Sequence, residues 1–306
     1  MIDTLLKGWR PSSLNQYKCY LNKWNTFCIE HNTNPLERND TLALTFLRKL
    51  FKRGYKYSAL NTARSALSII FDTPLPSFGE SPLTKRFMRA MYNLRPNLPK
   101  YHTTWDVSVV LKYLETLSPV RFLNLQQLSH KLVTLLALVT AQRLQTLHAL
   151  NLDNCEITKT SAIFNIQQLL KHSNPLNKTS NNIIIQSFQP NKKICPLFHL
   201  KYYIKRTADL RKSGKLFLNH QQPHHPVSKE TLSRWVKLTL TKAGINTKVY
   251  SAHSTRSAAT SAAANSALDI TTILKSASWT KASTFRKYYH RDTGKPSFGN
   301  TVLQTL

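Results

Sequence analysis

The chain has 306 residues, 41% of them hydrophobic, which is enough to build packed cores and argues against a disordered polypeptide. Charge is the outlier: 43 Lys and Arg against 14 Asp and Glu give +29 at pH 7, a self-repulsion that points to a polyanionic partner, with nucleic acid the first candidate. Residues 1–103 hold 16 basic and 6 acidic side chains and residues 104–306 hold 27 and 8, so both halves are expected to meet that partner.

The longest apolar stretch, residues 132–141, is far short of the roughly 20 residues a membrane span requires, and the opening MIDTLLKGWR lacks a secretion-signal core. An intracellular protein without membrane contact is expected. Cys19, Cys28, Cys155 and Cys195 are scattered without a C-x-x-C pair and read as reduced thiols. His224 and His225 lie in a Pro-containing loop with no Cys or carboxylate at ligand spacing. Two-metal nucleases hold their cations with clustered acids, and this chain shows no such cluster, so neither a metal nor another cofactor is expected.

In chain order, Leu14, Tyr17, Leu21, Trp24 and Cys28 recur three and four apart after Pro11-Ser12-Ser13, the spacing of one helical face. Similar faces follow over 42–51, at Leu60, Ala63, Leu67, Ile70 and Phe71, and at Leu83, Phe87, Met91 and Leu94, with Asn, Gly and Pro breaks between them. The first hundred residues therefore read as a small helical bundle whose apolar stripes are core. Lys18, Lys23, Lys49, Lys52, Arg53, Lys56 and Arg64 remain for a phosphate-facing surface.

The segment 94–104, LRPNLPKYHTT, has two prolines and few core residues, which suits a linker. The expected division is an N-terminal module over 1–98, a linker over 99–104 and a second module over 105–306. In the second, helical patterns at 107–117 and 130–139 precede β-like runs at 162–167 and 183–188, joined by an Asn/Ser/Lys-rich hairpin loop. Helical patterns return at 196–210, 228–243, 253–265, 270–277 and 283–290. The fold class is mainly α with a small antiparallel β-sheet, an α+β chain.

The stretch 251–292 is the most informative. His253 and Arg256 stand three apart at the start of an Ala-rich helix, so both project from one face, and Trp279 and the Tyr288-Tyr289 pair follow. A phosphodiester attacked by tyrosine passes through a five-coordinate phosphorane with extra negative charge, which guanidinium forks stabilise without a metal. Tyrosine, with a reference pKa near 10, also needs a base, and the leaving oxygen needs a proton donor; lysine and histidine can fill those parts.

H-S-T-R at 253–256, then Trp279, then T-F-x-x-Y-Y at 284–289 resembles the tyrosine recombinase (phage integrase) family, and looks closest to the recombinases of eukaryotic DIRS-like and Crypton-type transposable elements. The string VTAQRLQTLHAL over 139–150 resembles that family's first-arginine motif, and residues 11–71 resemble its helical core-binding domain. The resemblance implies a core-binding domain followed by a catalytic domain. Arg143 and Arg256 would clamp the phosphate, with His253 the histidine of the H-x-x-R pair and Trp279 a hydrogen-bond donor to that phosphate. Lys171, or Lys178 in the same loop, would protonate the leaving 5′-hydroxyl.

The nucleophile stays open between neighbours: Tyr289 matches the transposon relatives and is preferred, and Tyr288 matches the spacing of many bacterial and phage members. Only one can face the pocket, because adjacent helical residues point about 100° apart. Many relatives carry an acid three residues after the first arginine, where this chain has Thr146.

The resemblance implies a metal-independent enzyme of DNA recombination and integration. It would act on double-stranded DNA as a homo-oligomer, a tetramer in the assembled state, and in the nucleus if the host is eukaryotic. The alternative is a catalytically inactive, domesticated DNA-binding copy. A type IB topoisomerase, with similar catalytic groups, is a third reading that the compact helical N-terminal module disfavours.

Overall fold

The computed structural model describes residues 11–71, 76–96, 103–167 and 182–291. Contacts divide the chain into two compact units, Met1–Pro99 and Lys100–Leu306.

In the first unit, α1 (Pro11–Glu30), α2 (Asp40–Lys52), α3 (Tyr57–Ile70) and α4 (Pro82–Leu94) surround one core. Asn39 starts α2 by accepting from the Leu42 amide, and Ser81 starts α4 by accepting from Thr84. Trp24 is the centre: its ring meets Phe27, Phe46 and Phe71 at 5.4 to 5.8 Å, and its Nε1 donates to the Pro35 carbonyl at 2.9 Å. Burying side chains of this size contributes about 1.5–3 kcal/mol each.

One expected face is rotated. Along α4 the buried positions are Thr84, Met88 and Met91, while Leu83 and Leu94 are exposed. The Thr84 hydroxyl is paired with Ser81 Oγ, so the cap can sit inward and the apolar stripe shifts by one residue.

The second unit is built on α6 (Leu125–Thr140), a helix buried almost all round, flanked by α8 (Pro196–Arg206), α9 (Lys229–Lys242) and the helix Ser254–Asn265; α5 (Val107–Thr116) adds Val110 and Leu114 to the same core. It starts five residues earlier than its apolar pattern, at a capping box formed by Asn124 and Gln127. Lys131 is fully buried on it, donating to the Leu117 carbonyl at 2.7 Å. The second unit continues with α7 (Leu144–His148), α10 (Ser254–Asn265), α11 (Ile270–Ser276) and α12 (Ala282–Tyr288).

The sheet is antiparallel with order β1-β2-β3: β1 (Cys155–Ile157), β2 (Ser161–Asn165) and β3 (Asn182–Gln186). Ala162, Phe164, Ile183 and Ile185 alternate inward onto the core that holds α6. With three residues, β1 is too brief to announce itself in sequence. The pattern over 196–210 ends as an α-helix at Arg206 and continues as a single 3-10 turn, Ala208–Leu210.

Candidate active site

Two helix ends in the left-handed region shape the site. α6 stops at Ala141, with φ +49°, and α11 is followed by Ser278, with φ +51°. Such conformations cost a non-glycine residue about 1–2 kcal/mol and persist where surrounding contacts over-determine them. Here the contacts are known: the Ala141 carbonyl accepts from Arg256 Nη1 at 2.8 Å, and the Ala277 carbonyl accepts from Arg256 Nη2. Gln142 adds a second tie, its Nε2 donating to the Ser276 carbonyl at 2.6 Å and to Ser278 Oγ at 2.9 Å.

Arg256 itself is 0% exposed and projects from the first turn of α10. Its Cζ lies 4.3 Å from the Trp279 ring centroid and 5.3 Å from that of Tyr289. Burial first, and the charge of Arg143 second, push its guanidinium down to about 10, with Tyr289 acting in the opposite sense. It remains cationic at neutral pH. Among the described residues neither arginine is in an ion pair, and Thr146 is buried with its amide on the Arg143 carbonyl at 2.8 Å.

His253 precedes α10 and is exposed; its Nε2 is 3.4 Å from the Tyr289 hydroxyl. The Tyr289 ring lies 4.4 Å from that of Trp279. Tyr288 points elsewhere, 56% exposed, with Lys287 Nζ 5.4 Å from its ring. Thus Arg256, His253, Trp279 and Tyr289 converge, and Arg143 is close enough for its charge to act on Arg256. Lys171 and Lys178 lie outside the described residues.

The site carries an unusual imbalance. Arg143 Nη1, Arg256 Nε and Trp279 Nε1 are all buried donors with no hydrogen-bond partner among the described residues. Leaving a buried donor unpaired costs about 1–3 kcal/mol, more for a charged group, so the cluster calls for an acceptor, preferably an anionic one. The described residues contain no group of three or more His, Cys, Asp or Glu able to hold a metal ion. No described helix is long and apolar enough to cross a membrane.

Sequence reasoning missed three residues here. Gln142 ties the first-arginine segment to the loop before Trp279, and Ser257 and Ser261 both donate to the Tyr289 carbonyl. The serine spacing of four was the available signal, hidden in an Ala/Ser-rich helix.

The seven basic residues of the N-terminal unit separate into two sets. Lys18, Lys52, Arg53 and Lys56 are exposed. Lys23 donates to the Tyr55 hydroxyl at 3.0 Å, Lys49 pairs with Glu30 at 2.6 Å, and Arg64 donates to the Gly79 carbonyl at 3.2 Å, so these three already have intramolecular work.

A profile described as the phage integrase family matches residues 106–295. The chain belongs to the phage integrase family. Its similarity to solved structures is in fold. A XerH site-specific recombinase bound to palindromic difH substrate in a post-cleavage complex is 16% identical with a TM-score of 0.62, over 90% of this chain and 75% of that one. A lambda integrase(75–356) dimer bound to a COC′ core site is 15% identical with a TM-score of 0.58, over 97% of this chain and 95% of that piece. A Tn1549 transposon integrase in complex with circular intermediate DNA is 13% identical with a TM-score of 0.53, over 90% and 87%. No curated protein matches the chain in sequence.

Proposed function

We propose that this phage integrase family member is a site-specific DNA recombinase or integrase that cleaves and rejoins double-stranded DNA through a 3′-phosphotyrosine intermediate. The observation that carries the reading is the set of three buried donors left unpaired among the described residues, Arg143 Nη1, Arg256 Nε and Trp279 Nε1, two of them on side chains against the Tyr289 ring. A scissile phosphate supplies the missing acceptors, and its charge relieves the repulsion between the two guanidinium groups.

In the forward step the Tyr289 oxygen bonds to phosphorus as the bond from phosphorus to the 5′-oxygen breaks. The phenolic proton passes to His253 Nε2, 3.4 Å away. The leaving 5′-oxygen takes a proton from an ammonium group, assigned on the family resemblance to Lys171. Arg143, Arg256 and Trp279 hold the non-bridging oxygens, most strongly in the phosphorane. The bond energy is kept in the phosphotyrosine, so attack by another 5′-hydroxyl restores the diester without a nucleotide cofactor.

The exposed set Lys18, Lys52, Arg53 and Lys56 would grip the backbone. Strand exchange requires several protomers on two DNA sites, and a tetramer is the working assembly. Origin in a DIRS-like or Crypton-type transposable element, and a nuclear site of action in a eukaryotic host, belong to the same reading.

The test is a duplex with a nick near the target phosphate, so that the cleaved end diffuses away. Covalent protein on the 3′ end supports the proposal. Salt-sensitive binding with no covalent product means an inactive DNA-binding copy instead.

A further inference from the structure

We propose that Ser257 and Ser261 are positioning residues, a two-hydroxyl clasp that holds Tyr289 by its main-chain carbonyl and so aims its phenol at the arginines of the same chain. The proposal rests on the recombinase reading above for the role of Tyr289, and goes beyond it in naming what fixes that residue in place.

The Tyr289 carbonyl accepts from Ser257 Oγ at 2.8 Å and from Ser261 Oγ at 2.9 Å, one hydroxyl for each lone pair. Both serines are buried, and their spacing of four puts them one above the other on α10, directly after Arg256. Ser261 Oγ also accepts from the Arg291 amide at 3.0 Å, so a single side chain ties down both sides of the segment. α12 is only seven residues long and ends at Tyr288, leaving Tyr289 as its cap, with φ −128°. A helix that short has little stability of its own, so what holds its end must come from another element. α10 provides it: the residues facing the segment are Ser and Ala, small enough for the backbones to approach, and Ala259, Ala263 and Ala264 pack on the cluster containing Trp279, Phe285 and Tyr289.

The consequence is geometric. Arg256 and the clasp sit on consecutive turns of one helix, so the nucleophile's backbone is referenced to the phosphate-binding guanidinium through rigid α10 and not through the loop 277–281. The ring then reaches 4.4 Å from Trp279, with its hydroxyl 3.4 Å from His253. Catalysis is sensitive to displacements on this scale, because the reacting atoms must be held near attack distance.

The test uses the full chain with Ser257→Ala, Ser261→Ala and the double variant, and measures single-turnover covalent-complex formation at saturating DNA, DNA affinity and Tm. Each single variant is expected to lose about fivefold in rate, the worth of one hydrogen bond, and the double variant more than either; DNA affinity is held, and Tm falls modestly because a buried hydrogen bond is lost, but well below Tm the rate falls further than the unfolded fraction accounts for. Rates equal to wild type overturn the clasp. So does a loss of rate that merely tracks a fall in Tm and affinity, since that is a structural role. A wild-type chain that forms no covalent complex overturns the recombinase reading alone. In that case amide exchange decides the clasp: in Ser257→Ala the amides of Tyr289 and His290, both bonded to the Phe285 carbonyl, exchange faster if the carbonyl is held as proposed and unchanged if it is not.

Discussion

The guanidinium of Arg256 lies 4.3 Å from the Trp279 ring centroid, and each of the two side chains presents a buried N–H that no other described group accepts. A desolvated cation over an indole face is worth up to about 2 kcal/mol, so Trp279 both holds the arginine and offers its own donor. The two roles separate by substitution. Trp279→Phe keeps an aromatic face and removes the N–H; covalent-complex formation is expected to fall about 10- to 100-fold with Tm shifted little. Trp279→Ala is expected to lower both rate and Tm.

Arg256→Lys retains the charge but not the fork. A lysine concentrates its donors on one nitrogen and cannot reproduce the planar fork in which Nη1 meets the Ala141 carbonyl, Nη2 the Ala277 carbonyl, and Nε is left for a phosphate. The expected outcome is a loss of at least about 100-fold in cleavage, together with a lower melting temperature, since a buried carbonyl is left unpaired. Calorimetry and the suicide-substrate assay read the two effects.

Tyr289→Phe is expected to abolish covalent trapping while leaving DNA binding intact. Tyr288→Phe is expected to change the rate by no more than about twofold, because that side chain is 56% exposed and turned from the arginines. The opposite pattern would assign the nucleophile to Tyr288.

Acid should destabilise the second unit. Burial holds His130 and His199 down to about 4 in the folded chain, whereas an unfolded histidine titrates near 6.5. Between these values the unfolded chain binds more protons, so stability falls as pH drops from about 6.5 toward 4, by up to a few kcal/mol per histidine. His130→Phe keeps a ring beside Trp235, 5.3 Å from His130 in the wild-type chain, and removes one titration. It should flatten the acid limb of a plot of Tm against pH.

Salt dependence should distinguish the two sets of basic residues in the first unit. Ala at Lys18, Lys52, Arg53 or Lys56, if the residue meets a phosphate, lowers the slope of log affinity against log salt by about 0.9. Lys49→Ala should change the slope less, because Glu30 already neutralises it in an exposed pair of little stabilising value. Arg64→Met should instead lower Tm, through loss of the bond to the Gly79 carbonyl.

Much of the fold was legible because periodicity reports burial. Trp24, Leu60, Leu67 and Met91 recur at helical spacing and are core in the structure. Where polar chemistry overrode periodicity the reading slipped: Thr84 pairs with a cap and turns inward, and α6 begins at a capping box ahead of its apolar run. β1, Cys-Glu-Ile, is only three residues long and mostly exposed, too brief for an alternation to be read.

The sequence by itself determined which groups exist and in what order: two arginines, a histidine, a tryptophan and a tyrosine pair on a strongly basic chain. Only the tertiary structure decided that Tyr289 and not Tyr288 turns toward Arg256, and that left-handed turns at Ala141 and Ser278 accompany the carbonyls that hold that arginine. Residue order is written locally, but convergence depends on helix ends and main-chain hydrogen bonds between segments more than a hundred residues apart, as between Arg256 and Ala141, and spacing along the chain carries no record of those.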